Sequence, residues 1–187
     1  MAQVLEAAVN MFHERGYAST SIEDVAKAVG LLKGSLYYYI QSKEDLLFRI
    51  VDEVHTDVQA TMDEAFADTT LPPLERLMRF ARKQVEYNAR NVDRIAVYHH
   101  EWQRLQGDRL AEVRKRRRTQ EQAVVAVLEE ARSRGDVPDD LDAQLAARCA
   151  FATIIWPYTW YRPGSVSPER LAGFCADFVL GGLSGLR

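Results

Sequence analysis

The stretch from residue 20 to residue 43, TSIEDVAKAVGLLKGSLYYYIQSK, contains two short helical segments on either side of a glycine. Thr20 followed by Glu23 matches a capping box, in which each side chain bonds the backbone amide of the other residue at a helix start. Apolar residues then recur at helical spacing until Gly30, which ends the first segment. A second short helix is predicted from Lys33 to Tyr39. Two short helices joined by a tight glycine turn form a helix-turn-helix motif.

The second helix of this motif has the composition of a helix that enters the major groove of DNA. Leu36 and Ile40 are four residues apart and hold it to the core, so its other side chains face outward. Lysine and serine can reach bases or phosphates, glycine lets the backbone approach closely, and tyrosine rings meet thymine methyls. The N-termini of the neighbouring helices have free backbone amides, which favour binding of DNA phosphates. The predicted DNA contacts are Thr20, Ser21, Lys33, Gly34, Ser35, Tyr37, Tyr38, Tyr39 and Lys43.

The outward orientation of three consecutive tyrosines is the central expectation. They could instead pack between helices, but successive helical side chains point about 100° apart, so three in a row cannot be buried on one face. One or two of them are expected to be partly buried. A different class of protein, a helical adaptor whose helix-turn-helix is structural only, remains as an alternative.

The rest of the chain also carries helical patterns, and strand-like alternation is missing. Gly16 ends the first helix, Pro73 begins the fifth, and Ser167 caps the last. Pro157 is expected to kink the eighth helix. The predicted helices cover about residues 2–15, 20–29, 33–39, 42–58, 73–85, 91–105, 108–134, 141–161 and 167–182. The predicted fold class is all-α with about nine helices.

Composition and charge exclude several classes of protein. The net charge of the 187 residues is −3, and residues 1–50 hold five basic against six acidic side chains, so a wholly basic nucleic-acid coat is excluded. No apolar run approaches the ~18 residues of a membrane span, and no signal peptide is recognisable, so a soluble cytoplasmic protein is expected. Cys149 and Cys175 are predicted to be buried thiols. No metal is expected, because adjacent His99 and His100 point apart on a helix.

No catalytic set is recognisable either, since the sequence lacks GxSxG and any suggestive cysteine–histidine pattern. An enzyme and a bound cofactor are therefore not predicted.

Residues 1–50 resemble the DNA-binding domain of the TetR family of transcriptional regulators. The resemblance lies in the run Gly30–Ile40 and in further single positions: Ala8, Phe12, Gly16, Tyr17, Thr20, Ile22, Val25, Ala26 and residues 42–46. It implies a helix-turn-helix domain over 1–46, a ligand-binding and dimerisation domain over 47–187, and a homodimer through the last two helices. It also implies a ligand cavity between helices 4 and 8, and repression relieved by a ligand. Many members carry a basic tail before helix 1, whereas this sequence starts inside that helix, so minor-groove contacts from such a tail are not predicted.

The last two helices are apolar over wide faces and need a partner surface. A two-fold dimer supplies that surface and two reading heads for a palindromic double-stranded operator. The alternative is that both faces are covered within one chain. The predicted interface residues are Ile154, Tyr158, Leu171, Phe174 and Phe178.

Aromatic residues around Pro157 and on helices 5 and 6 predict a mostly apolar effector site. Each of these residues could equally belong to the core or to the dimer interface. The segment WYRPG at 160–164 resembles a subgroup of actinobacterial TetR regulators of lipid or steroid-ring catabolism, which implies an acyl-CoA thioester as effector; a drug or a free lipid is the alternative. The predicted ligand contacts are Tyr87, Tyr98, His99, Trp102, Phe151, Ile155, Trp156 and Trp160.

The run RKRRR at Arg114–Arg118 concentrates positive charge within helix 7. A solvated helix face is the default interpretation of such a run. A dock for effector phosphates, or an additional DNA contact, are the other two interpretations.

Overall fold

The computed structural model describes residues 1–185, and of Lys33 it describes the backbone but not the side chain. Within this part of the chain all regular structure is helical, which confirms the predicted all-α fold. Two 3-10 helices, Trp102–Arg104 and Trp156–Thr159, follow the sixth and eighth α-helices. The α-helices are α1 (Ala2–Arg15), α2 (Ile22–Ala28), α3 (Lys33–Leu36), α4 (Lys43–Phe66), α5 (Pro73–Arg90), α6 (Val92–Glu101), α7 (Gly107–Ser133), α8 (Ala143–Ile155) and α9 (Pro168–Gly185).

The chain forms two compact units. The first consists of Met1–Thr56 and Asp93–Lys115, so the helix-turn-helix shares a unit with α6 and the start of α7. The second consists of Asp57–Val92 and the chain from Arg116 onward. The functional division at residue 46 stays a prediction.

A small apolar core holds the first three helices together. α1 buries Val4, Leu5, Ala8, Val9 and Phe12 on one face, as its apolar spacing predicts. The ring of Phe12 meets the ring of Tyr17 edge-on, with 5.1 Å between centroids. Gly16 stands between them with a φ of 80°, a conformation that glycine adopts without steric cost.

The capping box of α2 lies one residue later than predicted. The Ser21 hydroxyl accepts from the amide of Asp24 at 3.1 Å, and the Asp24 carboxylate accepts from the amide of Ser21 at 2.9 Å. Thr20 is instead buried, and its hydroxyl donates to the carbonyls of Met11 and Gly16. The prediction of a Thr20–Glu23 box was wrong because two overlapping residue pairs fit the same pattern.

α5 lies at the centre of the second unit, where it packs against α8, α9 and the 3-10 helix that follows α8. Phe80 on α5 is fully buried between Phe66 and Phe151, with ring centroids 5.6 and 6.1 Å away. Around these rings the core is built from small and branched apolar side chains, among them Leu77, Ala81, Val85, Leu128, Ala147 and Ala176.

α8 is shorter than predicted. Its N-terminus is capped by Asp142, whose carboxylate accepts from the amide of Leu145 at 3.0 Å. It ends at Ile155 instead of kinking and continuing to residue 161, because Pro157 has no amide to donate to the carbonyl one turn earlier. The 3-10 turn that follows leaves the carbonyl of Ile154 without its helical partner, and the Asn88 side chain donates to it at 3.1 Å.

Smaller differences concern chain ends and thiols. α3 ends at Leu36 and continues as a turn, while α9 runs on past the glycines at 181 and 182. Cys175 is buried as predicted, but Cys149 is exposed, so that prediction was wrong. The described residues hold no helix that is long and apolar enough to span a membrane, and no group of three or more metal-ligating side chains.

Candidate DNA-binding surface and effector site

The turn after α2 and the short α3 present an exposed aromatic surface. Leu36 and Ile40 are fully buried and hold α3 to the core. The three tyrosines all face outward, with exposed fractions of 46% for Tyr37, 90% for Tyr38 and 57% for Tyr39. The expectation that these rings are available to a duplex therefore agrees with the structure.

Two further predicted contacts, Gly34 on α3 and Ser21 before α2, are exposed. A Cβ built at Gly34 would meet no atom of the chain within 4 Å, so the backbone of α3 is open to close approach. Ser21 is exposed at the start of α2, and Ser35 is half-buried in α3. The side chain of Lys33 lies outside the described part of the structure, so its contact with DNA stays a prediction.

Two of the predicted DNA contacts are used inside the protein. The buried hydroxyl of Thr20 faces inward, and the structure contradicts a role for it at the DNA surface. The Lys43 ammonium donates to the carbonyls of Tyr17 at 2.8 Å and Ala18 at 3.3 Å, and lies 4.4 Å from the centroid of the Tyr17 ring. These carbonyls follow the end of α1, so Lys43 ties the start of α4 to that turn.

A polar framework braces the helix-turn-helix from the rear. The nearly buried carboxylate of Asp45 accepts from Arg109 at 2.9 Å, and the guanidinium of Arg49 donates to the carbonyl of Tyr39 at 3.0 Å. Glu44 accepts from the amide of Gln106 at 2.9 Å. The N-terminal part of α4 is thereby linked both to the end of the recognition segment and to the α6–α7 junction.

The predicted effector contacts are divided between the two units of the chain. Tyr98, His99 and Trp102 lie in the first unit, where the Tyr98 hydroxyl is 3.3 Å from Nε2 of the buried His55. The remainder lie in the second unit. Of these, Phe151 and Ile155 are half-buried on α8, whereas Tyr87 donates to Asp57 at 2.7 Å.

The two predicted tryptophan contacts lie on the surface. Trp156 is 62% exposed and Trp160 is 55% exposed, so neither forms the wall of an enclosed pocket within the second unit. The chain forms a 3-10 helix at Trp156–Thr159 after α8 ends, in contrast to the predicted continuous kinked helix.

Sequence reasoning missed three buried polar residues on α5. Gln84 donates to Oδ1 of Asn88 at 2.9 Å, and Asn88 donates onward to the carbonyl of Ile154. Arg76, about two turns earlier on the same helix face, pairs with Glu130. Oε1 of Gln84 and Nε of Arg76 have no partner among the described residues. Polar residues at positions 76, 84 and 88, in register with the apolar stripe of α5, were the available signal.

The face formed by α8 and α9 is apolar and open. Leu145 and Cys149 on α8, with Phe178 and Leu183 on α9, line a groove of about 420 Å³. Phe174 is 71% exposed and Phe178 is 65% exposed. Tyr158, another predicted interface residue, is half-buried, and this burial raises the pKa of its hydroxyl.

Two predicted interface residues lie elsewhere. Ile154 and Leu171 are buried in the core of their own unit, so the structure contradicts a surface role for them. α8 is apolar on nearly all sides, and the spacing of its residues could not show which side packs against α5. Within the basic run of α7, Arg114, Lys115 and Arg118 are exposed, and their role stays a prediction.

Comparison with known proteins places the chain in a family. The model described as bacterial regulatory proteins, tetR family, matches residues 4–50, and the model described as tetracyclin repressor-like, C-terminal domain, matches residues 70–183. The chain is 32% identical to the HTH-type transcriptional repressor KstR2 of Mycobacterium tuberculosis, over 97% of this chain and 92% of the relative.

Solved structures agree with this placement. The ketosteroid transcriptional regulator KstR2 of Mycobacterium tuberculosis superposes with a TM-score of 0.90 at 30% identity, covering 98% of this chain and 94% of the other. AibR in complex with isovaleryl coenzyme A and operator DNA superposes with a TM-score of 0.83 at 26% identity, covering 97% and 96%. Regulators of this family are DNA-binding proteins without enzymatic activity, which agrees with the predicted absence of catalysis. The chain therefore belongs to the TetR family and is a DNA-binding transcriptional repressor.

Proposed function

We propose that this repressor binds a palindromic operator as a homodimer and is released from it by a CoA thioester with an apolar acyl group. Three features support the proposal: the open apolar face of α8 and α9, the short reading segment around α3, and the unpaired polar atoms inside the second unit.

The α8–α9 face supports a homodimer. Phe174 and Phe178 lie one helical turn apart and expose most of their rings to water, which monomeric proteins avoid over contiguous patches. A two-fold axis across this face would seat the rings of each protomer against the groove of the other. Contacts of this kind are self-complementary, as a two-fold interface requires.

A dimer also explains how the short segment around α3 can bind DNA specifically. α3 has four residues, and one such helix reads only a few base pairs. Two heads related by a two-fold axis read two half-sites, and their symmetry calls for a palindromic operator.

The observation that carries the effector proposal is the pair of unpaired polar atoms on α5. Oε1 of Gln84 and Nε of Arg76 are buried in the second unit, whose core is mostly apolar. Leaving a buried donor or acceptor unpaired costs about 1–3 kcal/mol, so a ligand that pairs with these atoms would recover that free energy on binding. An effector with an apolar body, an acceptor at one end and a donor at the other would satisfy both.

CoA thioesters have these properties. The acyl chain is apolar, the thioester carbonyl accepts hydrogen bonds, and the amides of the pantetheine arm donate them. One similar protein points to the same class, since AibR was solved with isovaleryl coenzyme A. KstR2, described as a ketosteroid regulator, supports an apolar effector. The half-buried Phe151 and Ile155 of α8 would flank the acyl group.

The experiment is a fluorescence anisotropy titration of an operator duplex, selected by the full chain from a random library. Isovaleryl-CoA and a ring-bearing CoA thioester are added to the complex, with free CoA and the matching free acids as controls. Effector coupling is about 5- to 150-fold in affinity for allosteric proteins, and a loss of operator affinity in this range is expected for the thioesters alone.

The other outcomes separate the alternatives. Release by free lipids or drugs, with the thioesters inactive, would replace CoA thioesters by the other class of effector. Failure of the chain to select any duplex sequence would favour the adaptor interpretation.

A further inference from the structure

Leu32 is an exposed leucine at the start of the recognition helix. Its exposed fraction is 80%, against 37% for the neighbouring Leu31 and 60% for Leu145 on α8, and it exceeds that of every other leucine that the structure describes. An aliphatic side chain that is exposed to this extent adds nothing to the stability of the free protein through burial.

Leu32 is also an unfavourable residue for its place in the backbone. Its carbonyl accepts from the amides of Ser35 at 2.9 Å and Leu36 at 3.2 Å, which makes it the N-cap of α3. Serine, threonine, aspartate and asparagine are preferred at an N-cap because their side chains accept a free helix amide. Ser21 and Ser42 cap α2 and α4 in this way, because their hydroxyls accept from the amides three residues later. Leu32 therefore provides neither burial nor a cap.

The place of Leu32 in a helix-turn-helix indicates what it meets. The N-terminal residues of a recognition helix contact base edges in the major groove. The C5 methyl of thymine is the apolar group that the groove offers there, and the other base edges present hydrogen-bonding groups. The open backbone at Gly34, two residues further on, lets this end of α3 approach the bases closely.

We propose that Leu32 packs against the C5 methyl of a thymine in each operator half-site and is a specificity-determining residue of this repressor. The proposal rests on the operator binding of the family and adds one base preference to it. A leucine that contacted only the sugar–phosphate backbone would carry no sequence information.

The test replaces thymine by deoxyuridine, which differs by the methyl group alone. The operator is first selected by the wild-type chain from a random duplex library. Each symmetric pair of thymines is then changed to deoxyuridine, and the dissociation constants of the wild type, Leu32→Ser and Leu32→Met are measured by anisotropy. Burial of one methyl corresponds to about a fourfold change in affinity, so a change in both half-sites corresponds to about 15-fold.

The expected result is one thymine pair at which deoxyuridine weakens the wild type about 15-fold. At this pair Leu32→Met keeps the preference for the methyl group and Leu32→Ser loses it. Because serine is a better N-cap, the melting temperature of Leu32→Ser is expected to equal or exceed that of the wild type. Loss of thymine preference without loss of stability separates a contact with DNA from a structural role.

Two results would overturn the proposal. Operator selection followed by equal affinities for thymine and deoxyuridine at every position would show that no methyl is read. A deoxyuridine penalty of the same size in the wild type and in Leu32→Ser would assign the methyl contact to another side chain. Failure to select an operator at all is a different outcome, which contradicts the operator binding on which the proposal rests.

Discussion

Replacing Asn88 by alanine is expected to destabilise the second unit more than a substitution of a surface residue. The Asn88 amide accepts from Gln84 at 2.9 Å and donates to the carbonyl of Ile154 at 3.1 Å, and Gln84 and Asn88 are both almost fully buried. Asn88→Ala leaves one donor and one acceptor without partners. Each costs about 1–3 kcal/mol, so the free energy of unfolding should fall by about 2–6 kcal/mol.

The assay is thermal and urea unfolding followed by circular dichroism, with Asn91→Ala as the matched control. Asn91 also donates a side-chain hydrogen bond to a backbone carbonyl, that of Tyr87 at 2.8 Å, but it is half-buried and water can replace it. Its loss should cost about 1 kcal/mol or less. For a chain of this size, a melting temperature lower by about 10 °C is expected for Asn88→Ala.

A double-mutant cycle with Pro157→Ala tests the physical cause. If α8 continues through position 157, the carbonyl of Ile154 can pair with the amide of Tyr158 and no longer depends on the Asn88 side chain. The penalty of Asn88→Ala should then shrink by about 1–3 kcal/mol. Equal penalties in both backgrounds, or an Asn88→Ala variant no less stable than Asn91→Ala, would refute this account of the α8 terminus.

Three further substitutions test the dimer interface, the ion pair between Asp45 and Arg109, and the N-terminal cap of α2. Phe178→Glu puts a charge on the α8–α9 face, so sedimentation should show a folded monomer with operator affinity at least about 100-fold lower; an intact dimer would contradict the proposed interface. Asp45→Asn removes the charge that holds Arg109, and should lower the urea stability of the head by about 1–3 kcal/mol because Arg109 stays partly solvated; unchanged operator affinity and stability would show that the pair is dispensable. Hydrogen bonds from Ser21 hold the pKa of Asp24 below its ordinary value of 3.8, so this stabilisation is present above that pH and is lost as the pH falls through the folded pKa. Ser21→Ala should therefore show a shallower loss of stability on acidification below pH 3.8 than the wild type, and identical acid profiles would exclude this role of the cap.

The local signals of the sequence predicted most helices well. α1 begins and ends where its apolar spacing and Gly16 indicate, and α5 begins at the predicted Pro73, because these effects act within one or two turns. α5 runs on to Arg90, beyond its predicted end at residue 85. The outward tyrosines followed from helical geometry and two apolar anchors, Leu36 and Ile40. The family followed from the same residues, since the reading head is a local motif.

The site residues were predicted less well where several arrangements fit one pattern. Thr20–Glu23 and Ser21–Asp24 are both acceptable capping boxes, and the choice depends on Thr20 being drawn inward to the carbonyls of Met11 and Gly16. Exposed Leu32 and buried Gln84 were passed over because one is apolar in a DNA-binding surface and the other is polar in an apolar stripe.

The approximate helix positions, the helix-turn-helix and the all-helical fold could be predicted from the sequence alone. This is because capping, glycine stops and apolar periodicity depend on residues close in sequence. Which side of α8 faces inward could not be predicted, since that helix is apolar all round. Packing against α5 decided it, burying Ile154 and leaving Cys149 exposed to solvent. The hydrogen bond from Asn88 to Ile154 also needed the folded chain, because it joins residues 66 positions apart.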